Sequence, residues 1–181
     1  MRTRGRIGLA GALLALLLVV PGQVISAGPA VDRSDRAAIK DRTITAKGVG
    51  KVRLGARYAK LRRAGLVGPM REGCELSGAG SARLKAPLRG SVEFKRPTRR
   101  ARAKVITVIG GATANGVGVG AKRDEIEAAF PHARFDRSTE EVFGVTRVRI
   151  PKRDGGRIEM TLSVDSGKVS AIYVPRISFC E

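Results

Sequence analysis

The stretch GGATANGVGVGAKRDEIEAAFP, from Gly110 to Pro131, poses the central question about the fold. Its glycines follow the apolar run Lys104–Ile109 and lead into a segment with the apolar spacing of a helix. The same local order occurs at the phosphate-binding loops of nucleotide-binding proteins. The spacing here is Gly116-x-Gly118-x-Gly120, however, and a dinucleotide site needs G-x-G-x-x-G within a parallel βαβ unit. We therefore predict that these glycines shape the chain and do not bind a nucleotide.

The second observation is an internal similarity that includes this stretch. VRLGARYAKLRRA (Val52–Ala64) aligns with VGVGAKRDEIEAA (Val117–Ala129). Three further pairs follow in the same order at a nearly constant offset: residues 82–87 with 146–151, 91–95 with 157–161, and 104–109 with 168–173. We interpret these pairs as two copies of one unit; the alternative is chance similarity among strands rich in Arg, Ala and Val.

Each unit has the pattern of a short helix followed by strands. Apolar and polar residues alternate in 147–150 and again in 158–164. Arg147 and Arg149 are therefore predicted to face away from Val148 and Ile150, and Glu159 away from Ile158. VDSGKV (Val164–Val169) and RDGGR (Arg153–Arg157) are typical of hairpin turns and therefore of antiparallel pairing. The pattern predicts an α+β fold of two tandem helix-plus-antiparallel-sheet repeats packed as one domain, with sheets able to join edge to edge. The predicted boundaries are a signal peptide at 1–27, a flexible leader at 28–45, repeat 1 at 46–111 and repeat 2 at 112–181.

The N-terminus has the three-part pattern of a secretory signal. MRTRGR carries three arginines, Leu9–Val20 is apolar, and the small residues Ser26 and Ala27 follow a Pro-Gly break. We predict export by a Sec-type signal, cleavage after Ala27 and no membrane span in the mature chain. The alternative is a signal retained as an anchor helix.

The chain contains two cysteines, Cys74 and Cys180. In an exported chain an isolated pair of this kind indicates a disulfide bond. Two buried free thiols are the alternative.

The two helix entries, Gly55-Ala56-Arg57 and Gly120-Ala121-Lys122, each come before strands that form a predicted antiparallel sheet. This architecture resembles the tandem-repeat secreted actinobacterial proteins of the β-lactamase inhibitor protein-like fold. The resemblance covers Val52 to Tyr173. It implies the fold, suggests inhibition of an extracellular enzyme as one possible function, and supplies no functional residue.

The sequence offers few groups for catalysis. His132 is the single histidine, no Gly-x-Ser-x-Gly elbow occurs, and no residues have the spacing of zinc ligands. We predict no enzyme activity, no cofactor and no metal, and a hydrolase with an unrecognised site is the alternative.

The remaining indication of function is charge, because the formal net charge is +19. A GC-rich genome could produce part of the arginine excess, so the bulk charge does not by itself indicate a ligand. The candidate anion-binding residues lie in KRPTRRARAK and on the predicted polar sheet face: Lys95, Arg96, Arg99, Arg100, Arg102, Arg83, Lys85, Arg147 and Arg149. We predict an exported binding or envelope-associated protein whose partner is an anionic cell-envelope polymer, a lipid head group or an acidic extracellular protein. Nucleic acid is disfavoured, because aromatic stacking platforms are scarce.

Overall fold

The computed structural model describes residues 41–73, 78–152 and 155–178. The predicted signal peptide, most of the leader, and both cysteines of the predicted disulfide lie outside these residues. Within them, no helix has the length and apolar character needed to cross a membrane.

The described residues contain three short helices, α1 (Tyr58–Arg63), α2 (Arg123–Ala129) and α3 (Glu140–Phe143). Their strands are β1 Ile44–Thr45, β2 Gly48–Val49, β3 Val52–Arg53, β4 Val67–Glu72, β5 Gly80–Leu84, β6 Arg89–Phe94, β7 Ala103–Gly110, β8 Thr113–Ala114, β9 Val117–Gly118, β10 Arg134–Asp136, β11 Val145–Pro151, β12 Arg157–Ser163 and β13 Val169–Val174.

Eight of these strands form one antiparallel sheet in the order β10-β11-β12-β13-β7-β6-β5-β4. It consists of two four-stranded meanders, and their last strands, β7 and β13, pair with each other at Val108↔Ile172 and Thr107↔Tyr173. β1–β3 form a small sheet and β8–β9 a two-stranded ribbon. The chain therefore joins its two halves through continuous backbone hydrogen bonding.

The core lies on one face of the large sheet. Val148, Met160, Ile172 and Val108 stand directly opposite one another across β11, β12, β13 and β7. Each of them is fully buried. The helices and the small strands contribute to the same core cluster through Tyr58, Leu61, Val49, Val52, Val117, Ile126 and Phe130.

The predicted α+β fold of two helix-plus-sheet repeats is wrong. Strands account for 48% of the described residues and helices for 14%, and the eight main strands form one sheet. The physical reason is the length of the helical segments. In Val52–Ala64, β3 takes the first two residues and Gly55, at φ +74°, lies in a turn, so that only six residues are helical. Helices of this length are not stable alone and serve to cover the sheet.

The predictions for β11 and for the Val164–Val169 hairpin are confirmed, whereas two residues of the predicted RDGGR turn, Arg153 and Asp154, lie outside the described residues. Val148 and Ile150 are buried and their neighbours Arg147 and Arg149 face the other way. β12 and β13 pair as a hairpin around Val164–Lys168. Asn115 and Gly116, at φ +47° and +84°, form the tight turn between β8 and β9, so these glycines do serve chain geometry.

Tyr58 fixes α1 on the sheet. Its ring meets that of Phe94 edge-on, with 5.4 Å between the centroids. Its hydroxyl accepts a hydrogen bond from the Met70 N–H at 2.9 Å and donates to the Gly68 carbonyl at 3.3 Å. One side chain thus connects α1 to β4 and β6.

Tyr58→Phe should lower the free energy of unfolding by about 1–2 kcal/mol, because the Met70 N–H and the Gly68 carbonyl lose their partner. Tyr58→Ala should cost about 3–5 kcal/mol, since it also removes the buried ring. Urea unfolding followed by circular dichroism measures both. Equal stability of wild type and Tyr58→Phe would show that the hydroxyl does not hold α1.

Candidate anion-binding surface

The connection between β6 and β7 carries five of the predicted anion-binding residues. We define the hairpin cluster as Lys95, Arg96, Arg99, Arg100 and Arg102. All five are exposed. Lys95, Arg96, Arg99 and Arg100 have no ion pair with a carboxylate in the described parts of the chain, and Arg102 Nη1 donates to the Gly55 carbonyl at 3.1 Å.

The hairpin cluster is held by the entry of α1. The Tyr58 N–H donates to the Ala101 carbonyl at 2.8 Å, and the Ala59 N–H donates to the Arg99 carbonyl at 3.1 Å. These two bonds satisfy the first free amides of α1, which has no side-chain cap. The hairpin and the helix therefore stabilise each other through their backbones, and the cationic side chains project from a fixed loop.

Arg57 was not among the predicted site residues. It forms an isolated antiparallel bridge with Arg102 and its side chain is exposed, so it lies beside the hairpin cluster. Arg57 could have been predicted only from the pairing of the helix entry with the hairpin. This pairing is a contact between distant segments, and it becomes visible only in the folded structure.

Charge is distributed unevenly between the two halves of the sheet. Residues 41–111 contain 18 Lys and Arg against 4 Asp and Glu, whereas residues 112–181 contain 11 against 10. A GC-rich genome would raise arginine in both halves. The half that carries the hairpin cluster thus holds almost all of the excess charge of the folded region.

The structure separates the other predicted site residues from the hairpin cluster. Arg83 and Lys85 are exposed at the end of β5 that lies away from the hairpin. Arg147 and Arg149 stand on β11, five strands from β5 in the sheet, which corresponds to roughly 24 Å. The predicted residues therefore occupy three places and do not form one continuous face.

Arg147 and Arg149 are committed to ion pairs. Arg147 donates to Glu159 through Nε at 3.2 Å and Nη2 at 3.1 Å. Arg149 Nη2 donates to Asp136 at 2.6 Å. Since each guanidinium already faces a carboxylate, these two residues contribute less to anion binding than the hairpin cluster.

Glu159 is fully buried on the face that the alternation predicted to be polar. Besides Arg147, its carboxylate accepts the Ile177 N–H at 2.9 Å and lies 3.3 Å from Arg157 Nε. The segment after β13 therefore crosses this face and closes over the carboxylate. The carboxylate is buried and has several hydrogen-bond partners, so its pairing with Arg147 has the features of a structural ion pair.

Two carboxyls near the β10 edge have lowered pKa values. Hydrogen bonds from the Ser138 hydroxyl and N–H, with Arg149 nearby, lower the pKa of Asp136. The Thr146 hydroxyl and Arg137 lower the pKa of Glu140. In both cases the bonds favour the ionised form.

A carboxyl whose pKa is lower in the folded state stabilises the fold above its unfolded pKa, and this contribution disappears as pH falls through the folded pKa. We therefore expect the urea midpoint of the wild type to fall as pH drops below about 4. The urea midpoint of Asp136→Asn should fall less steeply, because this variant lacks one of the two carboxyls. Carbon-13 carboxyl titration by NMR measures the midpoints directly. Midpoints of Asp136 and Glu140 at or above those of unfolded peptides would contradict this.

His132 is exposed in the turn after α2, next to a cavity of about 290 Å³ that includes Phe130 and Lys152. The Lys152 ammonium lies over the Phe130 ring at 4.6 Å. In the described ranges, no three His, Cys, Asp or Glu side chains come together in a way that could hold a metal ion.

Comparison with known proteins gives no match to any family model, curated protein or solved structure. The resemblance to the β-lactamase inhibitor protein-like fold therefore stays a prediction.

Proposed function

We propose that this chain is an exported, non-enzymatic protein that binds an anionic polymer through the hairpin cluster. The observation that carries the proposal is the docked β6–β7 hairpin, which presents five exposed cations. Export rests on the predicted N-terminal signal. An envelope polymer with repeated phosphate or carboxylate groups is the ligand class that fits.

Docking of the hairpin on α1 supports this proposal. Guanidinium groups bind phosphate and carboxylate through two parallel hydrogen bonds, but a flexible loop loses entropy when it is bound. Here the Ala101 and Arg99 carbonyls already accept hydrogen bonds from α1. The hairpin backbone is therefore partly ordered before a ligand binds, which reduces the entropy lost on binding.

The composition of the hairpin favours a polymer over a lipid surface. Residues 95–102 contain no large apolar side chain that could insert among acyl chains. The large exposed apolar residues that the structure describes lie elsewhere: Ile109, Val119, Val142, Phe143 and Val164. Residues 95–102 also lack an aromatic ring on which bases could stack.

Retention of the purified protein on immobilised polymer tests the proposal. Inorganic polyphosphate and poly-glutamate are the phosphate and carboxylate probes, and neutral dextran is the matched control. We expect retention on both anionic polymers that weakens steeply as salt rises, because binding releases condensed counterions. Absence of retention at low ionic strength would overturn the proposal.

Two further measurements distinguish the alternatives. Tighter binding to phosphatidylglycerol vesicles than to polymer would assign the surface to lipid. Salt-resistant capture of a single enzyme from culture filtrate, with loss of that enzyme's activity, would favour the inhibitor hypothesis.

A further inference from the structure

A second basic feature lies at the opposite end of β6 from the hairpin cluster. It is a cavity of about 430 Å³ whose lining includes Arg42, Arg89 and residues 110–113. Arg89 is the first residue of β6 and Lys95 follows its last residue, so roughly 20 Å separates the two features. The cavity is therefore independent of the proposed polymer surface.

Gly110 makes room for the Arg89 guanidinium in the cavity wall. A Cβ added at Gly110 would lie 2.5 Å from Arg89 Nη2 and 2.7 Å from Nε, well inside van der Waals contact. The guanidinium thus lies where a side chain at position 110 would begin. This explains one glycine of the stretch that begins at Gly110: it gives an arginine from another strand access to the cavity.

Arg42 is attached to the same wall by its backbone. The Thr113 N–H donates to the Arg42 carbonyl at 3.0 Å. The neighbouring carboxylate of Asp41 forms an ion pair with Lys51 at 3.0 Å. Both arginines therefore enter the cavity lining from positions fixed by the fold.

Among the residues that the structure describes, none that lines the cavity carries a carboxylate. In the described parts of the chain, neither Arg42 nor Arg89 has a side-chain hydrogen bond or ion pair. Two arginines that line one concave site and have no counterion among the described residues match the charge of a dianion and its several acceptor oxygens. The volume lies within the range of small-molecule sites.

We propose that this cavity binds a small ligand through a doubly charged phosphate group, held by Arg42 and Arg89. The phosphate of a monoester and free inorganic phosphate share this chemistry. A phosphodiester within a polymer carries a single charge and fits less well. The site differs from a dinucleotide-binding site, which lies in a parallel βαβ unit, because the surrounding sheet is antiparallel.

Titration of the full chain with inorganic phosphate, followed by ¹⁵N NMR of the Gly110 and Gly111 amides, tests this proposal. We expect saturable binding of inorganic phosphate and of glycerol 3-phosphate. Dimethyl phosphate and acetate should bind at least tenfold more weakly. Equal affinity for dimethyl phosphate, or shifts that stay linear in concentration, would overturn the assignment.

Variants identify the arginines involved. Arg89→Gln and Arg42→Gln should each weaken phosphate binding by about tenfold or more, and Arg89→Lys should fall between wild type and Arg89→Gln. Arg134→Gln, at an exposed arginine of β10 that belongs to neither basic feature, is the matched control and should change phosphate affinity less than twofold. The urea midpoint of each variant verifies folding. Unchanged phosphate binding in folded Arg89→Gln would refute the site, and retention of this variant on polyphosphate tests the hairpin cluster separately.

Discussion

Arg147→Met is expected to lower the free energy of unfolding by about 3–5 kcal/mol. The substitution removes the guanidinium that makes two hydrogen bonds to Glu159, whose side chain has no exposed surface. Arg157 and the Ile177 N–H remain, but Arg157 Nε approaches the carboxylate at 3.3 Å without the geometry of a hydrogen bond. The buried charge would therefore be left with weaker compensation.

Arg149→Met is the matched control, because Arg149 lies two residues away on the same face of β11. Its partner Asp136 is partly exposed, and solvent screens such a pair, so we expect a loss of less than about 1 kcal/mol. The double variant Arg147→Met/Glu159→Met should be more stable than Arg147→Met alone, since it removes the uncompensated charge. Chemical denaturation of the four proteins at neutral pH measures these differences. Equal losses in the free energy of unfolding for Arg147→Met and Arg149→Met would show that burial of Glu159 does not determine the size of the loss.

Replacing three arginine side chains of the hairpin cluster, as Arg96→Gln/Arg99→Gln/Arg100→Gln, should weaken polyphosphate binding roughly 100-fold at low salt. Each cation near an anionic surface contributes about 1 kcal/mol, and about 3 kcal/mol corresponds to this factor. Arg102 is left in place because its side chain donates to the Gly55 carbonyl. The variant therefore changes charge with little effect on the fold.

The control for this triple variant removes the same charge from the other half of the sheet. Arg134, Lys168 and Arg176 are exposed, and Arg134→Gln/Lys168→Gln/Arg176→Gln lowers the net charge equally. We expect its affinity for polyphosphate to stay within about threefold of wild type, since screening limits the influence of distant charges. Equal losses in the two triple variants would attribute binding to net charge alone.

Local features of the fold were predictable from the sequence. Alternation gave the buried positions of β11, and the Val164–Lys168 segment gave the β12–β13 hairpin. Gly65, at φ +69°, comes just after the end of α1, where glycine commonly ends a helix. These features depend on a few neighbouring residues, which is why their patterns are sufficient.

The fold class was not predictable because it depends on element length and long-range pairing. Apolar spacing in Val52–Ala64 indicates a helix, but it does not show that β3 and a turn take half of the segment. Alternation also placed Glu159 on an exposed face, and the residue that covers it, Ile177, comes from the segment after β13. Burial of this carboxylate is a tertiary effect.

The candidate site was partly predictable. The run of cations at Lys95–Arg102 is visible in the sequence, whereas its docking on α1 follows from backbone hydrogen bonds between distant segments. The cavity at Gly110, in contrast, could not be predicted from the sequence. The stretch that includes Asn115 and Gly116 forms turns as predicted, but Arg42 and Arg89 join its first glycines only in the folded chain.

The salt dependence of polyphosphate binding tests the central claim most directly. Each cation that neutralises a phosphate on a flexible polyanion adds roughly 0.7 to the negative slope of log affinity against log salt. The five cations of the hairpin cluster thus predict a slope of roughly −3.5 for wild type, shallower by roughly 2 in Arg96→Gln/Arg99→Gln/Arg100→Gln. Identical slopes for wild type and this variant would contradict the assignment of anion binding to the β6–β7 hairpin.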